Sequence, residues 1–372
     1  MERSLESPSA SQLRPGPTRA QSERVGVLLI NIGTPDAPRP REVRRYLRQF
    51  LGDPRVLDIP ALPRWLLLNA VILPTRPRRS AEAYAKVWSD AGSPLRIHSE
   101  SLKSALQQRL GSSYVVELGM RYGHPGLAEG IDALLRQDVA RVVLFPLFPQ
   151  YASSSTGTAL EAALELIARR WNVLPTATVG PFYDDPGFIG ALAASAGPAL
   201  REFQPDHVLM SYHGLPERQI RRSDASGAHC LEHASCCDRV VVANRHCYRA
   251  QAFATSRALA AALTLPSDRW SVAFQSRLGR TPWIRPYTDV RIPELAAQGV
   301  RRLAVLCPSF VADCLETVEE IGMRARDQWH ELGGEAFLCV PCINADAAWV
   351  EAAEALVRSA AGDSAAQACP SA

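Results

Sequence analysis

The sequence predicts an α/β protein made of two similar doubly wound domains, each on a four-stranded parallel sheet, with an active-site cleft between them. Three observations carry that expectation. Short apolar, β-branched runs alternate with long helical patterns, as in parallel sheets. The strand-like runs divide four and four along the chain. With 372 residues, 47% of them apolar and 21% charged, the chain is long enough and apolar enough for two cores.

Strands are expected at 25–31, 114–119, 141–145 and 173–179, and then at 207–212, 270–275, 301–307 and 335–340. Helical patterns fall at 41–51, 99–110, 127–137, 157–170, 250–263 and 313–332. Residues 1–22 are rich in Ser, Pro, Gln, Arg and Glu without an apolar stretch, so a disordered tail is expected there and a flexible one at 361–372. A first domain of 23–150 with 339–360, and a second of 151–338, are expected.

Several functions are excluded. The net charge of +3 is too small for a nucleic-acid binder. No G-x-G-x-x-G or P-loop is present, and Asn31-Ile32-Gly33-Thr34-Pro35 ends a strand with one glycine, so no nucleotide is expected. No apolar run reaches the length of a membrane span, and the first residues lack a secretory core, which predicts a cytoplasmic protein. Its nine cysteines are then metal or redox candidates and not a disulfide framework.

In open α/β sheets ligands bind beyond the carboxyl ends of strands. Here those positions carry Asn31–Pro35, Arg121-Tyr122-Gly123-His124-Pro125, Pro149-Gln150-Tyr151 with Ser154, Ser211-Tyr212-His213-Gly214-Leu215-Pro216-Glu217, Gln275-Ser276-Arg277-Leu278-Gly279 and Asp313-Cys314-Leu315-Glu316-Thr317. In this order, together with Pro282-Trp283 and Tyr287-Thr288-Asp289, they resemble ferrochelatases, which insert ferrous iron into a porphyrin, over roughly 24–345.

The resemblance implies a chelatase-like fold and a reaction that removes two pyrrole protons as Fe2+ enters a bent macrocycle. His213 matches the catalytic base, and an imidazole with an ordinary pKa near 6.5 suits that task. Glu316 matches the acid facing it and lies in the first turn of the helix expected from Asp313, where the helix dipole also favours a carboxylate. Both are implied to meet the substrate iron. Glu320, one turn on, extends a carboxylate relay whose next step is Arg324, where the family often has another acid.

Ile32, Arg121, Tyr151, Ser154, Trp283, Phe310 and Cys314 would line the porphyrin pocket, with Arg121 pairing a propionate. Asp36 stands where users of coproporphyrin have tyrosine, which favours protoporphyrin IX over coproporphyrin III. A non-catalytic tetrapyrrole or iron carrier is the competing reading, and a cobalt or nickel chelatase a third. The apolar stretch 61–73, interrupted by Arg64, is a buried helix or an exposed lip, and in the family the corresponding region touches membrane.

Cys230, Cys236, Cys237 and Cys247 are spaced C-x5-CC-x9-C within 229–247, a complement suited to a 2Fe-2S cluster or a tetrahedral zinc; His229, His233 and His246 keep zinc open. The segment resembles the internal one by which some bacterial ferrochelatases hold a 2Fe-2S cluster. Cys339-Val340-Pro341-Cys342 has no second pair nearby and is read as packing.

Overall fold

The computed structural model describes residues 24–279 and 281–363. Its eight strands form two four-stranded sheets in which every pairing is parallel. In the first, β1 (Val25–Gly33) lies between β2 (Tyr114–Tyr122) and β3 (Arg141–Pro146), with β4 (Thr176–Thr178) beyond β3. The second repeats the order: β5 (His207–His213) lies between β6 (Trp270–Gln275) and β7 (Arg302–Leu306), with β8 (Ala336–Cys339) at the edge. In both sheets the chain steps one way from the first strand and the other way to the third, which opens a crevice at their carboxyl ends.

Strands covered on both faces need apolar residues in succession, and Val27, Leu28, Leu29 and Ile30 of β1 are completely buried. The strand expected at 173–179 contracts to three residues because Pro175 has no N–H to give to the ladder, which opens with Val142 donating to the Pro175 carbonyl (2.9 Å). β4 pairs with β3 through Val142↔Thr176. A domain boundary at 150 would strip that strand from its sheet, so the first unit extends through Thr178. The returning helix Ala347–Ala361 packs on β3, β4 and the helix Pro94–Leu110.

One apolar core serves both sheets. It holds Val27 and Leu29 of β1, Val208 and Met210 of β5, and Phe188 and Trp349 from the mutually packed helices Pro186–Phe203 and Ala347–Ala361. Trp349 stacks on Phe182 (5.5 Å between centroids, 26° between planes) and meets Phe145 edge-on.

Three helical expectations change. The helix expected from 99 starts at Pro94, where Ser93 accepts from the Arg96 amide and proline occupies the first turn. The pattern at 313–332 is a π-helix over Glu316–Ala325 followed by an α-helix over Arg326–Glu331. Residues 61–73 form the helix Ala61–Leu66 and the π-turn Leu67–Ile72 and enter the helix Leu73–Val87; only Leu68 and Leu73 are buried, so this is the exposed lip. The tail expected at 1–22 lies outside the described residues, as do 364–372, whereas Ala361 still belongs to the last helix.

Candidate active site

His213 closes the central strand β5 at its carboxyl end. Its Nδ1 lies 2.6 Å from the Gly214 carbonyl oxygen. A carbonyl can only accept, so Nδ1 is the donor, and in the neutral ring Nε2 is the acceptor. The His213 amide donates to Ser309 Oγ (3.3 Å), and the ring lies 6.4 Å from that of Phe310. Gly214 is required beside it, since a Cβ there would stand 2.7 Å from the Gln275 carbonyl and 3.2 Å from the Trp283 ring.

Glu316 opens the π-helix, a coil that recurs at functional sites. β6 ends at Gln275, in register with His213, and Gln275 Nε2 donates to the Glu316 carbonyl (3.0 Å) while its Oε1 accepts from Ser211 Oγ (2.7 Å). One amide side chain therefore ties Glu316 to Ser211, two residues before His213 on β5. The Glu316 carboxylate acts on Tyr46 and Tyr84 of the first unit and on Cys314 beside it: burial first, and then its charge, push Tyr46 and Cys314 well above their ordinary pKa values, and burial, then Tyr46, then Glu316 do the same to Tyr84.

Of the expected pocket residues, Ile32, Phe310 and Cys314 meet in one apolar cluster with Leu95 and Ala312. Trp283 is buried against Gly214 and donates its indole N–H to the Leu278 carbonyl (2.9 Å). Arg121 departs from expectation. It bonds Asp53 (2.7 Å) and Thr158 Oγ1 (2.8 Å), so its charge is already met and it is no free propionate partner. Burial alone would raise the Asp53 carboxyl, but bonds from Thr158, the Arg55 amide and Tyr122, with the Arg121 charge, hold it below its ordinary value.

Glu320 departs as well. Its two oxygens accept the Ser276 amide (2.9 Å) and hydroxyl (2.6 Å), bracing a residue held at a φ of +64°. Arg324 pairs with Glu319 (2.8 Å) and approaches Glu320 (4.0 Å). The carboxylate read as a relay is a strut with a cation beside it.

A cavity of about 790 Å3 opens at the strand ends of both sheets, lined in part by Tyr151, Ser153, Thr156, Leu215, Gln219 and Tyr248. His213 and Glu316 are not among its lining residues; Leu215, two positions beyond His213, is. The expected Ser154 gives way to Ser153 and Thr156 because a π-turn, Ser153–Gly157, rotates this segment. Thr156 Oγ1 and Gln219 Oε1 are buried without a hydrogen-bond partner among the described residues, the state of groups that a ligand or water satisfies. Thr156 stands in the Ser154-Ser155-Thr156-Gly157 string of the resemblance without being singled out as a lining residue, and no motif marks Gln219.

The four cysteines of 229–247 are buried and reduced. Cys236 and Cys237 Sγ lie 3.7 Å apart, and the Cys247 thiol interacts with those of both Cys230 and Cys237. Burial pushes the Cys230 thiol up to about 11; the bond with Cys247 and then burial raise that of Cys237. Asp224 anchors the loop by accepting the His229 and Cys230 amides (both 2.8 Å), and Asn244 by donating to the Cys236 carbonyl (2.8 Å). Among the described residues no three His, Cys, Asp or Glu side chains surround a point where one metal ion could sit. Cys342 is buried in packing, and Cys339 leans on the Thr317 carbonyl (3.7 Å).

A sequence model described as Ferrochelatase matches residues 24–361. The chain is 46% identical over 332 residues to "Ferrochelatase" of Coxiella burnetii (strain CbuG_Q212), spanning 89% of this chain and 92% of that protein. It is 46% identical over 325 residues to "Ferrochelatase" of Pseudomonas entomophila (strain L48), spanning 87% and 96%. Among solved structures, SirB from Bacillus subtilis with Fe3+ shares the fold at a TM-score of 0.51 and 10% identity, covering 91% of this chain and 98% of that one.

Proposed function

The chain belongs to the ferrochelatase family and inserts Fe2+ into a porphyrin in haem biosynthesis, and from that premise we propose that protoporphyrin IX is its substrate, with His213 as base and Glu316 as the opposed acid. One observation carries the reading: the hydrogen bond from Nδ1 to the Gly214 carbonyl makes Nε2 the acceptor of the neutral His213 ring, at a strand end in register with Gln275, whose side chain holds the Glu316 carbonyl.

The two pyrrole N–H protons leave as the four ring nitrogens become metal donors, so Fe2+ and the free porphyrin give haem and two protons. His213 takes a proton at Nε2 while its Nδ1–H bond holds the ring in place. Glu316 offers hard oxygen to the incoming ion, and neutral Tyr46, Tyr84 and Cys314 around it leave its charge free for that ion. Ile32, Phe310 and Trp283 supply flat or apolar faces for the macrocycle.

Protoporphyrin, with two carboxylates, fits a site whose Arg121 is already paired and whose Asp36 bonds Arg45 (3.2 Å). Coproporphyrin, with four, would need cations these pairs withhold. The lip supports delivery from a membrane surface, for Leu62 (68% exposed), Trp65 (60%) and Val71 (54%) face outward, although no helix among the described residues is long and apolar enough to cross a membrane.

For the cysteines, a binuclear 2Fe-2S cluster suits thiols that contact in pairs, whereas a single zinc needs four donors about one point. Cys230, Cys236, Cys237 and Cys247 would hold it, and bound there it would supply a rigid cross-link and a one-electron centre.

The test is an anaerobic insertion assay with Fe2+ and either porphyrin. His213→Ala is expected to lose at least a hundredfold in kcat, the usual weight of a general base, with porphyrin binding by fluorescence quenching little changed. Near-normal turnover in that variant would move the base elsewhere, and a higher specificity constant with coproporphyrin III would overturn the substrate.

A further inference from the structure

Arg249 joins two parts of the molecule that the chemistry above leaves separate. It lies at the start of the helix Tyr248–Ala262, two residues past Cys247. Its Nη1 donates to Cys237 Sγ at 3.0 Å and stands 4.0 Å from Cys236 Sγ, while its Nε donates to the Arg285 carbonyl at 3.3 Å. The guanidinium carbon lies 4.8 Å from the centre of the Phe253 ring, which fixes the plane of the fork.

The Arg285 end of that fork belongs to the wall behind the base. The Pro286 carbonyl accepts from Phe274 of β6 (2.8 Å), the Ile284 amide donates to the Leu215 carbonyl (3.0 Å), and the Glu217 amide donates to the Pro282 carbonyl (3.0 Å). Trp283 pairs with Pro216 and rests against Gly214. Segment 282–287 is thus sewn to Leu215–Glu217, which begin two residues past His213.

We propose that Arg249 is a positioning residue for the known reaction: a guanidinium strut, with one arm on Cys237 of the cysteine centre and the other on the Arg285 carbonyl, that holds the Trp283 wall against the His213 segment. This rests on reading the four cysteines as a 2Fe-2S centre, since a cluster-bound sulfur fixes the first arm more firmly than a free thiol that can rotate away. The strut also gives the centre a cationic donor on one sulfur, one of the contacts by which proteins set cluster potentials.

The experiment compares wild type with Arg249→Met and Arg249→Lys, purified anaerobically. It reads iron and acid-labile sulfide per chain, the spectrum and reduction potential of the reduced centre, and kcat and porphyrin KM separately. Arg249→Met is expected to keep the cluster and its colour, to show a lower potential with an altered reduced-state signal, and to raise porphyrin KM roughly threefold to tenfold, the factor a lost hydrogen bond carries. Arg249→Lys keeps a charge that restores part of the potential but cannot span both partners, so the raised KM persists. A KM equal to wild type in Arg249→Met overturns the strut. A colourless wild type without iron or sulfide overturns the cluster reading instead, and KM of the same variant then still decides for or against the strut. An unchanged potential and signal in a coloured Arg249→Met protein removes the contact with the cluster.

Discussion

His213 and Glu316 stand out in the sequence through strings of neighbours that resemble ferrochelatases, and each lies where its chain element turns, one at the end of a strand and one at the start of a helix. Arg121 could not be read the same way, for its partner Asp53 is 68 residues away and only packing brings them together. His207 is a second residue whose behaviour is set by its surroundings. Burial, then the Arg291 charge, lower its pKa to about 4 against Asp268, and its Nε2 lies 2.8 Å from Ser271 Oγ. The unfolded chain binds a proton near 6.5 that the folded one refuses until about 4, so the stability this site contributes is complete above that upper value and is lost as pH falls through the interval. Urea titrations at pH 7, 6 and 5 are expected to show wild type losing stability faster than His207→Gln, which keeps a hydrogen-bonding group without titrating. Parallel losses in the two proteins would show that His207 is protonated as readily when folded.

At the scale of elements, every strand was legible from its apolar run, though Pro175 shortens β4, and two of the three helical departures occur where the coil widens. The π-helix at Glu316–Ala325 has the same apolar spacing as an α-helix over a few residues, so periodicity alone does not distinguish them. The same holds for Leu67–Ile72, whose burial depends on neighbours that never arrive. That exposure predicts a surface affinity: flotation with anionic lipid vesicles should recover wild type in the lipid layer and leave Trp65→Glu with Leu62→Glu at the bottom, at equal activity on solubilised porphyrin. If both proteins float alike, the lip is not the contact. The cysteine segment is an element of another kind, held by Asp224 and Asn244 but without regular structure over most of its length. Any one of Cys230, Cys236, Cys237 or Cys247 replaced by serine is expected to bleach the visible absorption and lower the midpoint of thermal unfolding; a Cys339→Ser variant that bleaches alone would name the wrong thiols.

At the scale of the molecule, the doubling of the fold was readable from the order of strands, whereas the division of the chain was not, because β4 is short and announces its sheet only through pairing with β3. Nor does sequence spacing reveal that Val27 and Met210, far apart in the chain, belong to one core. Two units that share a core should melt as one, so calorimetry of the intact protein is expected to give a single transition, and two resolved peaks would mean that the sheets are independent. The shared core also bears on how a flat substrate becomes bent. With Phe188 and Trp349 in the one core that serves both sheets, and interiors being close-packed, a hinged closure of the two halves around a guest would have to break that core. The aperture is fixed by the fold, and it is the macrocycle that must yield.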